Sequence, residues 1–369
     1  MKRFLALIFC FFIFLVSLSC PACADSLLNR TAEAAGTEEL AQGLSEEELR
    51  ILGETDTQFA YDAPGALARL WEHVLLCAKN VLHAQFSFAL RLLVLIFFCA
   101  LSDALCDSRT ARDGITLAAC CCAAFLAAGD WDSGIAQATE VLDRLTDYSH
   151  AALPVLYTAA AAAGAVSSAP IRYAASSLAM DVLMTLSRTL VLPVIYTYLA
   201  LSLTLCICEN PLLRGVQRLI RRAAGVILSV VTTALCLYIG LSGLVAASTD
   251  ALAVKAARSV LSGVLPVVGG ILSDSAAALV SAAAVIRNAA GAFCLTAVIV
   301  MCAGPFVFLL IKLLLLRAVG TLAELLPGGA LARFLDDCAG VFALLLGLVG
   351  SCAVMLFFSL MAGLKAVCG

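Results

Sequence analysis

The residues of this chain best placed to do chemistry surround an interruption in an otherwise apolar stretch. A Pro-x-x-Gly-Gly sequence at residues 266–270 has apolar residues on both sides. Proline removes a backbone hydrogen bond and glycine loses backbone entropy in a helix, so this sequence predicts a helix break. At membrane depth such a break is tolerated only beside protein or a water-filled cavity, and broken helices line substrate or ion paths in transporters. The chemistry indicated is therefore passage of a solute or an ion.

Charged residues flank this break, at positions where burial in a membrane is costly unless the charge is paired or functional. The alternative interpretation is a loop between two short helices at the membrane surface, which is the commoner case. The sequence leaves both interpretations open. The candidate path or packing residues are Asp250, Lys255, Pro266, Gly269, Gly270, Asp274 and Arg287.

Signatures of catalysis and of nucleotide binding do not occur in the sequence. There is no Walker A loop, GxSxG, HExxH or Rossmann fingerprint. The 17 cysteines stand mostly within apolar runs, and with only 3 histidines no Cys/His metal spacing occurs, so we expect cysteine to act as a small apolar side chain. The pair Asp336–Asp337 is expected at a helix end or an interface. We therefore expect a non-enzymatic protein without catalytic residues, cofactor or metal.

Composition predicts an all-α, polytopic membrane protein. Hydrophobic residues make up 63% of the chain and charged residues 13%, whereas soluble domains carry about 25% charged residues. The net charge of −3, without a basic patch, does not suit nucleic acid. A spanning helix needs about 20 apolar residues, and we expect about six to eight spans. The clearest runs are Phe86–Cys106, Thr189–Cys208, Ala223–Thr249, Asn288–Ile311 and Cys338–Leu364; Gly114–Gly129 is shorter and Ala151–Ile171 is alanine-rich.

The N-terminus has the layout of a secretory signal peptide over residues 1–24, with cleavage expected after Ala24; an uncleaved anchor helix is the alternative. Residues 25–83, which carry 11 acidic and 4 basic side chains, are predicted to be an acidic extracytoplasmic segment. A capping box of Ser45 and Glu48 predicts a short exposed helix there. This segment is either a solvated stalk or a docking site for a partner. The multi-pass transmembrane domain is predicted to occupy residues 84–369.

Two amphipathic segments constrain the topology. The acidic one, residues 135–148, is expected on the exterior surface. The basic one, residues 210–222, begins with Asn210 as N-cap and Pro211 at the first helical position, and the positive-inside rule places it in the cytoplasm. With the acidic segment outside and the basic segment inside, the chain must cross the membrane an odd number of times between residues 150 and 210. The alanine-rich run Ala151–Ile171 is therefore predicted not to be a span of its own.

The segment 250–291 resembles the stage III sporulation protein AE family of endospore-forming bacteria. Two departures are Arg258 and Arg287, which stand where the family pattern has lysine. The resemblance rests on Asp250, Lys255 and Arg258, on Leu265–Gly270 followed by Leu272–Asp274, and on Arg287–Gly291.

This resemblance implies a multi-pass protein of the mother-cell membrane surrounding the forespore. It implies a non-enzymatic subunit of a sporulation-specific, secretion-like channel complex between the two cells that is needed for forespore development. The implied partners are other membrane and ring-forming proteins of that complex and a cytoplasmic ATPase-like subunit. The alternative function is a stand-alone secondary transporter or permease with a broken-helix site near residues 263–291.

Overall fold

The computed structural model describes residues 44–52, 63–105, 108–162, 165, 168–207, 210–264, 269–324 and 329–364, without the side chains of residues 243–290 and of residues 47, 63–67, 103, 104, 109, 112, 113 and 207. Almost every residue in these ranges is helical, which confirms the all-α prediction. The helices are α1 (Glu46–Leu52), α2 (Ala63–Leu105), α3 (Arg109–Ala162), α4 (Ser168–Leu186), α5 (Leu192–Ile207), α6 (Pro211–Val264), α7 (Gly269–Ala323) and α8 (Ala330–Leu364). A π-helical turn, Ser187–Val191, joins α4 to α5.

The central element of the bundle is α8. It contacts α3, α4, α5, α6 and α7, and its side chains are buried along almost the whole helix. Its neighbour α7 runs antiparallel to it, because Gly320 packs against Leu335 at one end and Gly291 packs against Leu364 at the other. Several cysteines fill this core as small apolar side chains, as predicted: Cys294, Cys302, Cys338 and Cys352.

Within the described residues, six helical segments are long and apolar enough to cross a membrane. This number is at the lower end of the predicted range and is compatible with a polytopic membrane protein. Large apolar side chains on the outside of the bundle agree with a lipid solvent; Phe97 is 64% and Phe125 is 83% exposed. The six segments are Ala68–Ser102, Gly114–Ala162, Ser168–Cys206, Pro211–Ser242, Gly291–Ala323 and Ala330–Leu364.

The alanine-rich run Ala151–Ile171 is not a span of its own, which confirms the prediction. Helix α3 ends within it at Ala162, and α4 begins within it at Ser168. The next crossing combines α4, the π-helical turn and α5 in one segment, Ser168–Cys206. One candidate crossing, Ser168–Cys206, therefore separates the end of α3 from the start of α6.

Two expected surface helices are parts of longer helices. The acidic segment 135–148 is the middle of α3 and packs its apolar side, including Leu142 and Tyr148, into the core. The basic segment 210–222 is the start of α6, and the Leu212 N–H donates to Asn210 Oδ1 at 2.9 Å, as an N-cap requires. The predictions of separate helices, and of Gly114–Gly129 as a separate short span, are wrong because α3 continues without a break from Arg109 through Pro154 to Ala162, and α6 continues from Pro211 to Val264.

Helix α1 has the predicted capping box but not the predicted exposure. The Ser45 N–H donates to Glu48 Oε2 at 2.8 Å, and the Glu48 N–H donates to Ser45 Oγ at 3.4 Å. Ile51 and Leu52 are buried, and α1 packs against α2 and α7, so the prediction of an exposed helix is wrong. The signal peptide at residues 1–24 lies outside the described residues and stays a prediction.

Candidate functional site

The predicted site at residues 250–291 lies largely outside the described part of the chain. Its acidic and basic residues are on helices whose side chains are not described there: Asp250 and Lys255 on α6, and Asp274 and Arg287 on α7. Gly269 and Gly270 are the first two residues of α7, and α6 ends at Val264. Pro266 is outside the described residues. The assignment of these seven residues to a path stays a prediction.

The register between α3 and α8 fixes the height of every residue on α3. A Cβ added at Gly134 of α3 would lie 2.6 Å from Cε1 of Phe342 on α8. A Cβ added at Gly363 of α8 would lie 2.8 Å from Cδ2 of Leu156 on α3. Between these two contacts, residue numbers increase in the same direction and by nearly the same amount on α3 and on α8. The two helices are therefore parallel, and one residue along α3 corresponds to about one residue along α8.

By this register, charged residues of α3 lie at the middle height of the bundle. Glu140 and Asp143 stand beside Leu348 and Ser351 of α8, and α8 has no charged residue from Cys338 to Leu364. Any span of about 20 residues placed within that stretch includes Leu348 and Ser351. A charged side of α3 therefore lies at the height at which α8 would cross a membrane. We call it the charged face of α3; it comprises Asp132, Ala136, Thr139, Glu140, Asp143, Arg144 and Asp147.

Two ion pairs connect this face to neighbouring helices. Arg144 contacts Glu48 of α1, whose carboxylate is nearly buried. Arg188 of the π-helical turn lies 2.5 Å from Asp143 and donates to Thr146 Oγ1 at 3.3 Å. Charges at membrane depth are costly unless they are paired, and these contacts offset that cost for two of the acidic groups.

The π-helical turn positions Arg188 for its contact with α3. The Leu192 N–H donates to the Ser187 carbonyl, which is the spacing of a π-helix. Pro193 has no N–H to donate, so the regular α-helical pattern cannot continue through this turn. Ser187 is held in the core 3.6 Å from the sulfur of Cys352. Such turns inside α-helices occur frequently at functional sites.

Two cavities adjoin the charged face of α3. One of about 480 Å³ lies between α3 and α5, and one of about 330 Å³ lies among α2, α3 and α7. Glu140 and Arg144 line both cavities. Other polar lining comes from Asp132, Thr139 and Asp143 in the first cavity and from Asn80 and Gln137 in the second.

A buried ion pair joins α7 to α3 closer to one end of the bundle. Lys312 is completely buried and contacts Asp130. Its ammonium group lies 4.8 Å from the ring centroid of Phe88 and 5.7 Å from that of Phe308. The aromatic faces add a cation–π attraction to the ion pair, whose lysine is fully buried and whose aspartate is partly exposed.

Asp336 and Asp337 form an interface among four helices, as predicted. Asp336 of α8 lies 3.6 Å from Arg221 of α6 and 3.4 Å from Arg317 of α7. Asp337 accepts a hydrogen bond of 3.2 Å from the Tyr198 hydroxyl of α5. Arginine side chains gather at this end, where α3, α6 and α8 begin and α2, α5 and α7 end; we call it the basic end.

The sequence analysis did not predict a site on the charged face of α3, because segment 135–148 was expected to be a helix on the exterior surface. A signal was present: between Gly129 and Pro154 the sequence has no proline and a single glycine, Gly134. Helical continuity into the following apolar residues would have placed these charges inside the bundle. Ion-pair partners such as Glu48 and Arg188 lie too far away in sequence to be predicted.

Comparison with known proteins identifies the family. The family model described as "Stage III sporulation protein AE" matches residues 62–366. The chain belongs to the stage III sporulation protein AE family. This match confirms the resemblance seen in segment 250–291, and it includes α2 to α8 but not α1.

A relative of known name agrees with the family assignment. The chain is 24% identical over 235 residues to the stage III sporulation protein AE of Bacillus subtilis (strain 168). The matched region is 64% of this chain and 59% of that relative. No solved structure matches this member of the AE family.

Proposed function

We propose that this protein is a non-enzymatic membrane subunit of a sporulation-specific channel complex between the mother cell and the forespore. Membership in a sporulation stage III family and six membrane-competent segments support this proposal. The observation that carries it is the position of Glu140 and Asp143 beside the middle of the charge-free part of α8. Lipid does not solvate such a face, so the bundle needs water or another protein there.

The proposed orientation follows from the basic end. Cytoplasmic ends of membrane helices carry an excess of lysine and arginine. With the basic end in the cytoplasm, α2 starts outside and α8 ends outside, and the six segments cross in alternating directions. This arrangement gives the segment after the predicted signal peptide an extracytoplasmic location. The proposed membrane is the mother-cell membrane that surrounds the forespore.

The proposed partners are other membrane and ring-forming proteins of the same complex and a cytoplasmic ATPase-like subunit. The exposed arginines of the basic end, such as Arg218 and Arg222, suit contact with an acidic cytoplasmic surface. We propose no catalytic role for any side chain; at mid-height Asp143 and Arg144 are held in ion pairs and Glu140 lines both cavities.

The proposal is tested by deleting the gene and following sporulation by microscopy. The expected result is that engulfed forespores form but fail to develop, and that the intact gene restores development. A deletion strain with the normal yield of heat-resistant spores would contradict the proposal.

A second measurement separates a complex subunit from a stand-alone transporter. The tagged full-length protein is extracted from sporulating cells in mild detergent and its mass is measured by size exclusion with light scattering. A complex subunit is expected to elute with other sporulation proteins that mass spectrometry identifies. Elution as a single chain in several mild detergents would favour the transporter.

A further inference from the structure

We propose that the charged face of α3 lines a water-filled crevice at the middle depth of the membrane. This inference deepens the proposed function, on which it rests, by naming the residues that would form the wall of a conduit. It joins three observations: the depth of the face, the cavities on both sides of it, and its carboxylates without ion-pair partners.

The depth comes from two independent sets of contacts. The register between α3 and α8 places Glu140 beside Leu348. Separately, Ser187 contacts Cys352, and the adjacent Arg188 contacts Asp143. Both sets of contacts place Glu140 and Asp143 beside the midpoint of the charge-free stretch Cys338–Leu364 of α8.

The cavities supply the space for water. Together they border Glu140 and Arg144 from both sides, and the larger, at about 480 Å³, has room for on the order of ten water molecules. Enclosed cavities that stay empty of water are apolar, whereas these two open pockets carry polar side chains. The larger is lined by three carboxylates, an arginine and a threonine, and the smaller by Glu140, Arg144, Asn80 and Gln137. Polar side chains in such number give each water molecule the partners that it needs.

Unpaired charge excludes lipid as the covering of this face. Glu140 and Asp147 are exposed near the middle of the charge-free stretch of α8, and within the described residues neither forms an ion pair. Asp132 is also exposed and without an ion pair there, but it stands beside Gly340, nearer the basic end. An acidic side chain facing lipid at the centre of a bilayer costs about 3 kcal/mol or more. A second copy packed face to face without water would bring like charges together. Water is therefore the covering that the charge distribution favours, and the excess of carboxylates favours cations within it.

A position on another helix provides a matched control. Arg221 of α6 lies against Gly340, and Cys236 of α6 lies 3.8 Å from the sulfur of Met355. Val230, between them, therefore stands beside Val349 at the height of Glu140. It is 59% exposed and α6 has no charged residue within a turn on either side of it, so lipid is expected to cover it.

The test is chemical labelling of introduced cysteines in membranes of sporulating cells that express the full-length protein. Thr139→Cys and Ala136→Cys place a thiol on the charged face, and Val230→Cys places one at the same depth on α6. The membrane-impermeant cation methanethiosulfonate ethyltrimethylammonium is applied, and mass spectrometry of the peptide containing each position separates its labelling from that of native cysteines. Immunoblotting checks that each variant accumulates.

The expected result is labelling of Thr139→Cys and Ala136→Cys roughly tenfold or more faster than Val230→Cys, because only a hydrated thiol ionises to the reactive thiolate. The anionic reagent methanethiosulfonate ethylsulfonate should react about tenfold more slowly than the cation at both face positions, since clefts of one charge concentrate the opposite charge. Equal rates at all three positions, or no labelling of the face, would overturn the crevice whatever the sporulation phenotype. Equal rates for the two reagents would overturn its preference for cations.

Discussion

Lys312 of α7 and Asp130 of α3 form an ion pair in which the lysine side chain has no contact with solvent. The two helices reach this contact from positions far apart in the chain, and both aromatic neighbours of the ammonium group, Phe88 and Phe308, are apolar. Removing one partner leaves a charge in a low-dielectric site, whereas removing both leaves none. The energetic role of the pair can therefore be measured by comparing single and double substitutions.

We expect Lys312→Met to lower the stability of the bundle by about 3–5 kcal/mol, because Asp130 is left without its partner. The double variant Lys312→Met with Asp130→Leu should recover most of this loss, since apolar residues of similar volume replace the pair. The measurement is the midpoint of thermal unfolding of the purified protein in detergent. A double variant as unstable as the single one would show that the cost arises from packing and not from charge.

Gly340→Ala should destabilise the protein by about 1–3 kcal/mol, because inserting a methyl group into a packed interface forces its neighbours to move. The added Cβ would lie 2.6 Å from the Tyr198 hydroxyl and 3.0 Å from Cζ of Arg221. The matched control is Gly225→Ala on α6, where no atom lies within 4 Å. That change should be neutral or stabilising by up to about 1 kcal/mol, because alanine favours helix more than glycine does. Equal unfolding midpoints for the two variants would contradict the close approach at Gly340.

Glu48→Gln should loosen α1 from the bundle while keeping its N-terminal cap. Glutamine can still reach back to the Ser45 N–H in a capping box, but it cannot form the ion pair with Arg144. The expected result is faster hydrogen exchange of residues 44–52, measured by mass spectrometry, with unchanged exchange in α8. Ser45→Ala, which removes the cap but not the ion pair, serves as the comparison. Faster exchange in Ser45→Ala alone would assign the docking of α1 to its cap.

Gly269→Leu should impair sporulation if the backbone at the start of α7 approaches other chain segments closely. Gly225→Leu is the matched control, because nothing lies within 4 Å of a Cβ at that position. The measurement is the yield of heat-resistant spores from strains in which both variants accumulate to the wild-type level. A wild-type yield from Gly269→Leu would remove this segment from the mechanism.

The sequence was sufficient to predict the fold class and most of the crossings. Apolar runs of spanning length predicted the helices, and arginine positions predicted which helix ends share a side. The prediction that the alanine-rich run 151–171 is not a span of its own is confirmed, since α3 ends within it at Ala162 and α4 begins within it at Ser168. These are local or summed properties of the chain, which sequence alone contains.

Tertiary contacts limited the prediction elsewhere. The exposure of α1 was misjudged because its acidic composition suggested water, whereas Glu48 has an arginine partner that lies 96 residues away. The height of Glu140 depends on which helix packs beside α3, and no local pattern encodes that choice. The seven predicted path residues were selected from a helix break, and their role stays a prediction because their side chains lie outside the described structure.

The central position of α8 also has a consequence for biogenesis. This helix follows the others in the chain, so α3 to α7 are synthesised before the element that all five contact. Until α8 arrives, contacts such as that between Tyr198 and Asp337 cannot form. The contacts of α7 with α2 and α3, and of α4 with α3 and α6, do not involve α8 and can form earlier. Insertion of α8 therefore completes the packing of a partly assembled bundle.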